Sequence, residues 1–110
     1  MERLQEIQAM FDHLKKDAPK EAAAFMNFAQ TVKSGGAIDG KNKSLIGVAL
    51  AISSQCTWCI ATHVKTAVDA GASKAEIVDA AMMAVMMGGG PKLMYLTVLY
   101  EELANHFPEA

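Results

Sequence analysis

The chain carries no excess of one charge, no long apolar run and almost no cysteine. Its 10 Lys and Arg stand against 12 Asp and Glu, a net charge of −2 with the signs interspersed. No basic stripe with interleaved aromatics is present, so nucleic-acid binding is not expected. No apolar stretch approaches the roughly 20 residues of a membrane span, so no membrane partner is expected either. The opening residues, Met1 to Glu6, are charged and lack the apolar run of a secretory signal. There are only two cysteines. Without an export signal they point to the reducing cytoplasm, where a close cysteine pair is more often catalytic or metal-binding than a structural staple.

What the chain has is apolar material. Hydrophobic residues make up 52% of its 110 residues, enough for one well-filled domain over residues 1–110. The periodicity predicts an all-α fold of about six helices. Leu4, Ile7, Phe11, Leu14 and Ala18 recur at helical spacing, and Pro19 stops the run. A second helix is expected from Glu21 to Val32, with Ala22, Phe25, Met26, Ala29 and Val32 on one face, closed by Ser34-Gly35-Gly36. Asp39 is the expected N-cap of a third, reaching Ser53. A fourth begins near Gln55 or Cys56 and ends at Gly71. Ser73-Lys74-Ala75-Glu76 reads as a capping box for a fifth that runs to Met87. Gly88-Gly89-Gly90 breaks it, and Pro91 opens a sixth, with Leu93, Leu96, Leu99, Tyr100, Leu103 and Phe107 facing inward.

The third and fifth helices are apolar on nearly every side. Such helices must be covered all round, and a chain of this length has too few layers to cover both. A homo-oligomer follows, its interface on the third, fifth or sixth helix. The methionine stripe Met82, Met83, Met86 and Met87 reads as core or interface packing.

The densest chemistry lies in Cys56-Thr57-Trp58-Cys59-Ile60-Ala61-Thr62-His63. On a helix, Cys56, Cys59 and His63 share one face. A thiol reacts as its thiolate, which the start of a helix stabilises. His63 stands one turn beyond Cys59 and can take its proton. Cys59 is therefore the expected attacking sulfur and Cys56 its resolving partner. Two other readings compete. The cysteines can serve as small buried hydrophobes. With His63 they also supply three zinc ligands, but structural zinc takes four, and neither His13, His106 nor a carboxylate stands at a zinc-finger spacing. No metal and no cofactor is assigned. Trp58, between the thiols, either shields the sulfurs, lines a substrate pocket or simply packs.

The segment from Ile38-Asp39-Gly40-Lys41 through the cysteine–histidine motif, Gly71-Ala72-Ser73 and Met86-Met87-Gly88-Gly89-Gly90-Pro91 resembles the alkylhydroperoxidase D-like branch of the carboxymuconolactone decarboxylase superfamily. The resemblance covers about residues 38–107. It implies an all-α trimer or hexamer. It also implies a peroxidase acting on a hydroperoxide substrate and re-reduced by a dithiol protein or small thiol. Within it, Cys59 takes the peroxidatic position, Cys56 the resolving one and His63 that of the proton relay. The decarboxylase activity that names the superfamily fits poorly, since those members lack the cysteine pair. One departure stands out. The family's relay glutamate, twelve residues before the first cysteine, is Ser44 here. A serine cannot act as a base near neutral pH. Glu101 or Glu102 would have to replace it, or the peroxidase step would be slow, or the dithiol would serve thiol–disulfide exchange or redox sensing.

Overall fold

The structure, a computed structural model, describes residues 2–108. Its elements are α1 (Arg3–Asp17), α2 (Pro19–Ser34), α3 (Gly40–Ser53), α4 (Thr57–Asp69), α5 (Lys74–Gly88), α6 (Gly90–Met94) and α7 (Leu96–His106). There is no strand among the described residues. The all-α expectation holds, and the last helical region is split at Tyr95 into α6 and α7.

The caps explain the boundaries. Asp39 Oδ1 accepts from the Asn42 amide at 2.8 Å and starts α3. Ser73 and Glu76 form the expected reciprocal pair at α5, at 3.1 and 2.9 Å. Asp17 ends α1, because Pro19 cannot continue it and instead opens α2. Gly71, at φ +89°, lets the chain leave α4 in a left-handed turn.

The core is built where α3 packs against α4 and α5, and α4 packs against α7. Val48 and Ile52 from α3, Ile60 and Val64 from α4, Ile77 from α5, and Leu99 and Leu103 from α7 are all fully buried. Each such side chain contributes roughly 1.5–3 kcal/mol by leaving water. Two inward assignments are not met: Leu93, on the short α6 ahead of the break at Tyr95, and Tyr100, on α7, are exposed. Helix α1 rests on α2 and α4. Arg3 clasps α1 to α7 through Glu101 at 3.0 Å and Glu102 at 2.8 Å. Lys41 ties α3 to α5 through Glu76 at 2.7 Å, which holds that carboxyl below its usual range; the Ser73 amide adds to the effect.

Among the described residues no helix is long and apolar enough to cross a membrane. Much apolar surface nevertheless faces outward. It includes Phe25, Met26 and Phe28 on α2, Leu50 on α3, Met83, Met86 and Met87 on α5, and Met94 on α6.

Candidate functional site

The cysteine pair singled out by spacing lies at the start of α4, and His63 follows one turn further along the same helix. Cys56 is not the first residue of that helix but its N-cap, and its sulfur accepts from the Cys59 amide at 3.1 Å. The sequence allows this because Ser53-Ser54-Gln55 closes α3, and Gln55 adopts φ +54° to turn the chain. The N-terminal amides of a helix carry partial positive charge, so a sulfur placed there is favoured as a thiolate. Cys56 and Cys59 are joined as a disulfide, with Cα atoms 5.2 Å apart. Cys59 is exposed and Cys56 half-buried.

His63 lies one turn along α4 from Cys59 and lies against α3. It fits because α3 offers Gly47 there. A Cβ added at Gly47 would come within 2.8 Å of His63 Cε1 and closer still to Nδ1. Burial lowers the His63 pKa below the ordinary imidazole value, and the nearby positive charge of Lys33 lowers it further. His63 is therefore mostly neutral near pH 7, the form able to accept a proton.

Ser44 sits one turn before Gly47 on α3 and is buried. Its hydroxyl donates to the Lys41 carbonyl at 2.6 Å, a bond internal to the helix. Glu101 and Glu102 are engaged by Arg3, where α7 meets the start of α1. The carboxylate that reaches the cysteine segment is Glu6 on α1, which accepts from Trp58 Nε1 at 3.2 Å. Glu6, Ile7, Met10 and Trp58 line an open, largely apolar groove of about 400 Å³. His13 is exposed and His106 half-exposed. Among the described residues no three or more His, Cys, Asp and Glu side chains gather to hold a metal ion.

Spacing alone missed Gly47 and Glu6. Gly47 had a faint signal: an isolated glycine in a helical run weakens the helix by about 1 kcal/mol relative to alanine and hints at close packing. Glu6 had none, being 52 positions from Trp58.

The carboxymuconolactone decarboxylase family profile matches residues 19–102. The chain is 42% identical over 67 residues to an uncharacterized protein of the cox locus of Paracoccus denitrificans. That match spans 61% of this chain and 60% of the Paracoccus protein. Among solved structures, the apo form of a carboxymuconolactone decarboxylase family protein from Legionella pneumophila superposes with a TM-score of 0.86. The two are 37% identical, over 92% of this chain and 90% of that one. A Thermotoga maritima family member with a suggested part in antioxidative response superposes at 0.78. It is 24% identical over 99% of this chain and 97% of its own, a likeness of fold alone.

Proposed function

The chain belongs to the carboxymuconolactone decarboxylase family, and we propose that it is a thiol-dependent peroxidase of the alkylhydroperoxidase D-like kind. The observation that carries this reading is the cysteine pair at the start of α4, with a mostly neutral histidine one turn behind Cys59.

In the reduced protein His63 takes the proton of Cys59, directly or through a water. The Cys59 thiolate attacks the distal oxygen of a hydroperoxide. The O–O bond breaks, the sulfur becomes a sulfenic acid, and the alkoxide leaves as the alcohol after taking the proton back. Cys56, favoured as a thiolate by the helix terminus, attacks the Cys59 sulfur. A disulfide forms and the sulfenic oxygen leaves as water. A dithiol protein or small thiol restores both thiols by two successive exchanges. The groove of Ile7, Met10 and Trp58 offers room for a small organic part of the peroxide. The exposed apolar faces of α2, α3, α5 and α6 suit a homo-oligomer, with α2 added to the faces expected from sequence.

A second reading is favoured by Ser44, whose hydroxyl is bound within its own helix. Without a carboxylate on α3 to relay protons through His63, the dithiol serves exchange with other thiols.

One experiment separates the two. The protein is reduced anaerobically, freed of reductant and given one equivalent of a small organic hydroperoxide, then followed by intact mass and thiol counting. Loss of both thiols and two hydrogens within seconds, abolished by Cys59→Ser, is the expected result. In Cys56→Ser, the sulfenic acid on Cys59 persists. If both single variants turn over like the parent protein, the peroxidase reading fails. If oxidation takes hours in the parent protein, the exchange reading replaces it.

A further inference from the structure

Gln55 is the only non-glycine residue with positive φ among the described residues, at +54°. Side chains with a Cβ adopt this left-handed conformation at a cost and keep it where neighbouring structure holds them there. The residue after it is Cys56, whose sulfur accepts from the Cys59 amide at 3.1 Å. Gln55 is held from a distant part of the sequence. Lys92 Nζ donates to Gln55 Oε1 at 2.7 Å, across 37 positions. Lys92 in turn lies in a slot made for it. A Cβ at Gly88, the last residue of α5, would come within 2.8 Å of Lys92 Cε and nearer to Cγ. Thus α5 gives up a side chain where the lysine stem passes, and the stem carries its ammonium to the turn before the cysteine pair.

We propose that Lys92 is a positioning residue for Cys56. Through Gln55 it holds the left-handed turn that seats the Cys56 sulfur on the amide of Cys59. The inference rests on Cys56 and Cys59 acting as a redox pair, and it assigns Lys92 to the step in which Cys56 attacks the oxidised partner. Gly88, Lys92 and Gln55 form one device, built from α5, α6 and the α3–α4 turn.

The test measures the alkylation rate of Cys56 by iodoacetamide at pH 7 in full-length, reduced Cys59→Ser protein, where Cys56 is the sole thiol. A helix-terminus contact of ordinary strength predicts about a fivefold slower reaction in Lys92→Met. Lys92→Arg restores most of the rate. Gly88→Ala fills the slot, suits a helix better than glycine, and nevertheless slows the reaction as Lys92→Met does. Gln55→Gly adopts the left-handed turn unaided and keeps a rate near that of the Cys59→Ser parent. In that background Lys92→Met has no further effect. The proposal is overturned if Lys92→Met reacts at the parental rate. It is equally overturned if Lys92→Met slows the reaction as much with glycine at position 55, because Lys92 would then act by charge alone. Peroxide turnover is measured separately on protein with both cysteines. Its absence, with the Lys92 effect intact, refutes the peroxidase reading and leaves the positioning role standing.

Discussion

Helices α4 and α2 are both apolar, yet the fold treats them oppositely. Ile60, Ala61, Val64 and Ala67 of α4 are fully buried, walled in by α3, α7 and α1. On α2 only Ala22 is buried, while Phe25 and Phe28 are 61% and 66% exposed. The radius of gyration, 14.4 Å, exceeds the roughly 13 Å of a close-packed chain this long, as a laterally placed α2 would produce. The difference shows that apolar periodicity predicts that a face will be covered, without saying whether its own chain covers it. The cysteine pair sits at the surface end of the self-covered α4, with Cys59 exposed and Cys56 half-buried.

The contrast can be broken by substitution. Ile60→Ala should cost about 2–5 kcal/mol in denaturant unfolding, since it removes buried methyl groups at the meeting of α4 with its neighbours. A loss below about 1 kcal/mol would mean that this core is loosely filled. Gly47→Ala comes next. The added methyl meets the His63 ring, and overpacking of this kind costs roughly 1–3 kcal/mol, partly offset by about 1 kcal/mol of helix preference. Thiol oxidation by hydroperoxide should slow about tenfold or more as the imidazole is displaced. An unchanged rate would remove His63 from the proton transfer.

Acidification sharpens the comparison further. The His63 pKa is depressed in the fold, so the unfolded chain binds a proton more readily. Its contribution to stability is complete above the ordinary imidazole value of about 6.5 and is lost as pH falls through the lower folded value. Unfolding midpoints measured down through that range should therefore fall more for the parent protein than for His63→Gln. Parallel curves would contradict the burial of this ring. The smallest effect on the fold is expected at α2. Phe28→Glu should change stability by no more than about 0.5 kcal/mol and leave the helical signal intact, while lowering the particle mass in solution. An unchanged mass would show that Phe28 is not part of an interface between copies.

Much of the fold was legible because its signals are local. Asp39 and the Ser73/Glu76 box cap helices a few residues away, and Pro19 stops one at a neighbouring position. The placing of the cysteine pair at the start of a helix was legible for the same reason. The sequence did not reveal what joins helices across space. Gly47 and His63 meet across the α3–α4 contact, Lys92 reaches Gln55, and Glu6 reaches Trp58. Nor did periodicity foresee the break at Tyr95. No proline or glycine marks it, and Leu93, on the short helix ahead of it, is exposed. The expected start of the fourth helix near Gln55 or Cys56 agrees with Cys56 as its N-cap, and one residue of register decides whether that sulfur can face the helix amides.

Trp58 is the only tryptophan in the chain, set between the two cysteines with its indole half-open to water and its N–H on Glu6. A disulfide accepts an electron from an excited indole more readily than two thiols do. The protein therefore carries its own optical reporter. Its ultraviolet emission should brighten when the pair is reduced and dim when it closes, allowing each opening and closing of the disulfide to be timed in a stopped-flow instrument without a dye or a coupled enzyme.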